Sequence, residues 1–409
     1  MRTRAFAIAL LGMAFGSAHA ADVHGRLELE DFAAFASSDS IDALLGARDR
    51  NDAAGNLRLT WEPQWDSWTF TVHYLLQVDY GDGVRFARLR SGIIPAPPST
   101  LFDLTTLLYD RANFRSEQSI DRLSLGYTSA DFVVRIGRQA LTWGGGLVFR
   151  PMDLFDPFSP NATDTEFKTG TDMVYVHRLF GDGSDLQAIV VPRSAVKGGG
   201  PSANASSLAL LFHKSIGELQ TSWLVARDYG DWTAAAEIGG SLGGASWDVE
   251  VVPVFPSQGA ARVSALANIS DAMTLFSRNA TVFAELFHNG FGTTSSRATL
   301  ATLPSDLLER LSRGQLFSLR KNYLAAGVTV EWTPLLNLSP TVIANLDDGS
   351  FYALASASYS LADNLTLLAD AQFPIGPRGS EFGGLRLAPA SPTTAGPSPQ
   401  LFLQIRSYF

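Results

Sequence analysis

The chain has no cysteine. Disulfides and thiolate metal sites are excluded, so a 409-residue chain must draw its stability from a large core or from a membrane. Lysine is scarce: Lys168, Lys197, Lys214 and Lys321 stand among 31 basic residues. The rest are arginines, more rigid as pore-lining charges than lysine, although a GC-rich genome produces the same bias. Positive charge is in deficit, with 31 basic against 40 acidic side chains and a formal net charge of −9. That balance argues against nucleic acid as a partner. Long apolar runs are missing too. Beyond the first twenty residues, no stretch approaches the roughly 20 apolar residues of a membrane-spanning helix.

Residues 1–20 read as a secretory signal peptide. Arg2 and Arg4 give a positive start, residues 5–15 a short apolar core, and Ala18-His19-Ala20 a small-x-small cleavage pattern. The mature chain is expected to be 21–409, beginning at Ala21. A membrane protein without apolar helices has one architecture open to it, the closed barrel, because every backbone group in lipid needs a partner. A soluble secreted β protein is the competing class.

Period-2 alternation runs from one end of the chain to the other. In residues 68–80, Trp68, Phe70, Val72, Tyr74, Leu76, Val78 and Tyr80 share one face, opposite Thr69, Thr71, His73, Leu75, Gln77 and Asp79. An apolar face with aromatic ends, opposite a polar face, is what a barrel strand between lipid and water requires. The run is also far longer than the roughly 5–6 residues of a typical globular strand. Short turns are expected at 63–66, 128–130, 181–184, 215–217, 239–244, 268–272 (with a break at Ser277 as the alternative), 333–336 and 362–363. Longer connections are expected at 36–54, 81–118, 142–171, 193–206, 288–321 and 374–399. The fold class is therefore all-β: a transmembrane, antiparallel, up-and-down β-barrel of about 18 strands (16–18) with long extracellular loops, closed by residues 25–35 and 401–409. Trp61, Trp65, Trp68, Trp247 and Trp332 lie near the short turns and fit an aromatic girdle. Residues 304–320 read as an amphipathic helix with Ser305 as N-cap, and 101–111 resemble it.

The stretch 131–172 carries the most information. It opens as a strand containing Arg135 and Arg138, whose separation of three would send one side chain toward lipid. An arginine near the bilayer midplane costs about 2–4 kcal/mol. A bulge near Gly137 would turn both inward; alternatively, Arg138 lies at the outer interface. After Trp143-Gly144-Gly145-Gly146 the loop 142–171 mixes charge with Leu147, Phe149, Met152, Leu154, Phe155 and Phe158, and is stiffened by Pro151, Pro157 and Pro160. A freely solvated loop has little use for so many apolar groups, so it is expected to fold into the lumen. The expected pore-lining and constriction residues are Arg135, Arg138, Arg150, Asp153, Asp156, Asp164, Glu166 and Lys168. Strand parity directs the acids Glu28, Glu30, Glu62, Asp79, Asp248, Glu250, Glu285, Glu331, Asp347 and Asp370 inward. The inward bases are Arg58, Arg122, Arg135, Arg262 and Arg406, an acid excess that favours cations.

Three patterns bear on chemistry. Residues 239–243 match nucleophile-elbow spacing, but in a Gly-rich hairpin turn where the strand–turn–helix of that motif is missing. The histidines, among them His73 and His213, are scattered without metal-ligand spacing. Asp153 with Asp156, and Asp164 with Glu166, are calcium-type pairs that Arg150 and Lys168 would neutralise instead. No catalytic residue, cofactor or metal is expected.

The chain ends with alternating Leu401, Leu403 and Ile405 and a terminal Phe409. That ending resembles the insertion signal of bacterial outer-membrane barrels, which implies recognition by the barrel-assembly machinery. Residues 135–172, with Gly-Arg-Gln before an aromatic-Gly turn and a Pro/Asp-rich loop, resemble porin-like barrels of the alginate-export type. The resemblance implies an 18-stranded barrel with loops constricting the lumen, although the acidic lumen departs from what a polyanion exporter uses. The expected function is an outer-membrane porin for passive diffusion of small solutes. Its partners would be outer-membrane lipid, lipopolysaccharide and a small solute; the number of subunits is left open. The alternatives are an export conduit or structural barrel of an envelope complex and, third, a barrel-embedded hydrolase.

Overall fold

The computed structural model describes residues 23–91, 99–196, 198–295 and 298–409; the segment 1–20 assigned to a signal peptide lies outside them. Backbone pairing organises the chain. The ring strands are β1 (His24–Phe35), β2 (Asp49–Trp61), β3 (Trp68–Gly81), β4 (Phe114–Thr128), β5 (Phe132–Gln139) and β6 (Thr171–Leu179). They continue as β7 (Asp185–Val191), β8 (Ser207–Ile216), β9 (Leu219–Asp228), β10 (Asp231–Leu242), β11 (Ala245–Phe255) and β12 (Arg262–Leu275). The last six are β13 (Arg278–His288), β14 (Asn322–Thr333), β15 (Leu336–Asn345), β16 (Phe351–Ala362), β17 (Leu365–Ile375) and β18 (Gln400–Tyr408). Each pairs antiparallel with the next, and β18 pairs with β1, Arg26 opposite Tyr408 and Ala34 opposite Gln400. The result is a closed 18-stranded antiparallel barrel with no free edge.

Alternation explains which face each side chain takes. Leu27, Leu29, Leu125, Ile136, Leu208, Leu210, Val251, Leu286 and Leu403 form an exposed apolar band. The residues between them, including Arg26, Glu28, Arg58, Arg122, Glu250, Glu285 and Gln404, are buried. A wall that hides charge and displays leucine is built for lipid outside and a polar interior. No described helix is long and apolar enough to cross a membrane.

Several local expectations need correction. The turn expected at 268–272 lies instead at the alternative break, Phe276 and Ser277, both at positive φ (51° and 60°). Asn268 and Ser270 belong to β12, opposite Glu285 and Phe283; they are polar because they face the interior, not because the chain reverses there. Within 101–111, the expected helix is in part a strand, Thr105–Arg111, paired with the start of β4. The helix within 304–320 is Ser305–Ser312; Pro304, which offers no side-chain cap, stands at the N-cap position, and Ser305 is the first helical residue.

Closure at the seam rests on both ends of the ring. Gly25 N–H donates to the Phe409 carbonyl at 2.7 Å, Phe409 N–H returns a bond at 3.0 Å, and a Cβ on Gly25 would collide with the Phe409 ring. Removing Phe409, or replacing Gly25→Val, should lower the fraction of heat-modifiable, folded barrel on cold gels. A normal folded fraction for both variants would show that the seam closes without them.

Candidate functional site

β5 ends at Gln139, and the chain leaves the wall. The turn that follows is fixed by its own amides. Gly145 and Gly146 N–H donate to Glu250 Oε1 at 2.7 and 3.1 Å. Leu147, Val148 and Phe149 N–H donate to the Glu285 carboxylate at 2.6, 3.0 and 2.7 Å. Five consecutive backbone donors thus converge on two carboxylates that are 0% and 1% exposed. Such hydrogen bonds contribute roughly 0.5–1.5 kcal/mol each, and the buried acids would be costly if left unmet. The glycines are sterically required: a Cβ on Gly144 would lie 2.7 Å from Glu250 Oε1, and one on Gly146 would collide with the Phe149 carbonyl. Asn268 Nδ2 donates to the Gly145 carbonyl at 3.0 Å.

Apolar packing continues the attachment. Phe149 stacks on Phe287 with centroids 4.5 Å apart. Met152 and Phe155, 0% and 2% exposed, pack with Trp143 against Ile189, Leu224 and Val252 of the wall and Leu307 of a second loop. The second half of the loop meets a different part of the ring. Gln372 Nε2 donates to the Asn161 carbonyl at 3.1 Å. Glu166 accepts from Arg26 Nη1 at 2.7 Å, and Asp164 pairs with Arg406 at 3.1 Å. Phe167 lies between the guanidinium groups of Arg26 and Arg58, 4.5 and 4.2 Å from its centroid, a cation–π arrangement. Gly170 N–H donates to Asp121 Oδ1 at 3.2 Å.

The singled-out residues fall into separate roles. Arg135 lies over the Tyr175 ring at 5.0 Å. Arg138 is buried and forks onto Asp172 at 2.9 and 3.0 Å. No extra residue sits between them, since both ladders of β5 run in register; the reversal of parity is made by Gly137 at φ 125°. The bulge occurs one strand away, at Asp121, where the β3–β4 register shifts and Asp121 and Arg122 emerge side by side. Asp153 and Lys168 face each other at 2.7 Å with side chains 1% and 6% exposed, so they hold the loop to itself and do not line open water. Burial pushes the Asp153 carboxyl up to about 6 and Lys168 down, while each partner pulls the other back. Asp156, at φ 53°, accepts from the Thr171 hydroxyl. Arg150 lies over Phe158 at 5.9 Å and is not among the ion-pair partners of Asp164 and Glu166, which are Arg26 and Arg406.

Sequence reasoning passed over Arg26, Asp121 and Glu237. Arg26 shares parity with Glu28, and Glu237 with Thr233, so alternation carried both signals; the bulge that exposes Asp121 left none. Ser241 lies within β10 opposite Ser246, His73 bonds Glu62 at 2.7 Å, and His213 bonds Asp185 at 3.1 Å.

A third loop closes over the same end. Glu381 accepts from the Tyr323 hydroxyl, Asn345 Nδ2 and Leu319 N–H. Burial pushes its carboxyl up to about 7, against those hydrogen bonds and with Asp348 adding to the rise.

Comparison with known proteins returns the fold. OccAB1 of Acinetobacter baumannii matches with a TM-score of 0.56 at 10% identity, over 95% of this chain and 96% of that one. OccK5 of Pseudomonas aeruginosa matches at 0.52 and 9%, over 95% and 98%. Wzi, a carbohydrate-binding barrel involved in group 1 capsule assembly in Escherichia coli, matches at 0.55 and 9%, over 95% and 84%. No family model and no curated protein matches the chain. The architecture is that of bacterial outer-membrane porins.

Two outcomes follow from this geometry. Glu285→Ala removes the acceptor of three amides and should lower the melting temperature in detergent by several degrees, whereas Glu309→Ala, at an exposed position, should not. Equal melting would show that the turn holds without Glu285. Because the Glu381 pKa is raised on folding, its contribution is complete below the ordinary value near 4.5 and is lost as pH rises through about 7. Amide exchange in residues 376–399 should therefore accelerate between pH 5 and pH 8 beyond its intrinsic rate, and Glu381→Gln should remove that extra acceleration.

Proposed function

We propose that this protein is an outer-membrane channel for passive diffusion of small solutes, exported through a cleaved signal peptide and narrowed by an inward-folded loop 142–171. One observation carries the reading. The same loop binds Glu250 and Glu285 on β11 and β13 and also Arg58 and Asp121 on β2 and β4. In an 18-membered ring those pairs of strands stand across from each other, so a loop that reaches both crosses the enclosed space. Arg135, Arg150 and Asp156 then border the remaining path, with Asp164, Glu166 and the arginines that meet them. Arg138, Asp153 and Lys168 stiffen its frame. Wall acids in excess over wall bases give the path a preference for cations.

A second reading has its own support. Residues Phe291, Leu303 and Leu307 of another loop, and Leu385 of a third, join the same core as Met152 and Phe155. A lumen so filled suits an export conduit or an assembly barrel, and Wzi shows that a barrel of this shape can bind carbohydrate.

Single-channel recording separates the two. The channel reading expects cation-selective openings in a KCl gradient, and a larger conductance with weaker selectivity after deletion of residues 145–160 from a barrel that still closes. A closed, heat-modifiable barrel that conducts neither before nor after the deletion would favour the conduit or assembly role.

A further inference from the structure

Beside the turn that Glu250 holds, three acids of the inner wall stand together without a basic partner among the described residues. Glu237 on β10 stands directly opposite Glu250 on β11, and Asp248 lies two residues before Glu250 on the same face. Like charges placed opposite each other in a sheet are destabilising. One carboxylate oxygen from each of the three lies within 4.8 Å of the others. Among the described residues, no lysine or arginine forms an ion pair with any of them. Glu250 is 0% exposed; its Oε1 is taken by Gly145 and Gly146, and its Oε2 accepts no hydrogen bond. The buried Oδ1 of Asp248 accepts none either. A buried, unpartnered carboxylate oxygen is costly, and two of them beside a third acid more so.

We propose that Glu237, Asp248 and Glu250 hold a divalent cation of calcium's size against the Gly144–Gly146 turn. The chemistry fits: calcium takes carboxylate oxygens at about 2.4 Å in flexible geometry, and oxygens this close together can share one ion. Magnesium demands a near-ideal octahedron and keeps several waters, held by one or two protein carboxylates, so three protein carboxylates around one point suit calcium better. The turn leaves the required space. A Cβ on Gly145 would stand 2.8 Å from Asp248 Cγ and 3.0 Å from Glu237 Oε1, so any side chain there fills the site. The ion would neutralise the acids on one side, while the Gly145 and Gly146 amides hold Glu250 from the other. It would thereby tie β10, β11 and the loop together. The site does not depend on whether the barrel conducts.

The test uses the full-length barrel in detergent, stripped with EDTA, and CaCl2 as the probe. Calorimetric titration should show a calcium site, and calcium should raise the melting temperature. Glu237→Gln and Asp248→Asn should each weaken binding at least tenfold, while Glu309→Gln, at an exposed position of the loop helix, should leave it unchanged. Heat-modifiable mobility checks that each variant closes. Should an acid variant fail to close, Gly145→Ala replaces it and should also lose calcium. No calcium binding by the parent, tighter binding of MgCl2, or calcium binding that survives the substitutions would overturn the proposal.

Discussion

The loop's position depends on a meeting between backbone and buried acid. Two glutamates on the inner wall, Glu250 and Glu285, could not be left buried and unmet, and the five amides of residues 145–149 are donors that have left the sheet and need acceptors. Each side solves the other's problem. The three glycines make it possible, because a side chain at Gly144 or Gly146 would meet Glu250 or the Phe149 carbonyl. Once this turn is seated, Phe149 falls onto Phe287, and Met152 and Phe155 follow into the wall.

The arginines that meet the loop and the glutamates that seat its turn lie on different arcs of the wall. Arg26, Arg58, Arg122, Arg138 and Arg406 come from β1, β2, β4, β5 and β18, which with β3 form one arc around the seam. Glu237, Asp248, Glu250 and Glu285 come from β10, β11 and β13 on the opposite arc. The loop answers each arc with the complementary group: amides to the acids, and Asp164, Glu166 and the Phe167 ring to the arginines. Electrostatic matching of this kind sets orientation as much as affinity, since the loop turned end for end would place acid against acid.

Much of this was legible in the chain, and what was not has identifiable causes. The strand number and the face taken by most side chains follow from period-2 alternation, which lipid outside and water inside enforce on the strands. The turn at 276–277 was misplaced because Asn268, Ser270 and Asp271 resemble turn residues, while inward-facing polar positions of a strand have the same composition. The reversal at Gly137 was sensed from the spacing of Arg135 and Arg138, but its form was not, since a positive φ and an inserted residue have the same effect on parity.

Local pattern carried the closed barrel, a strand number of about 18, most of the inward charges and the segment that leaves the wall, because each of these is a periodicity or its interruption. The partner that each charge finds came from the folded ring. Glu285 meets amides 136 to 138 residues away, and Arg26 meets Glu166 at a separation of 140. Those pairings depend on where the ring closes and how the loop crosses it. No local pattern encodes a distance measured through space.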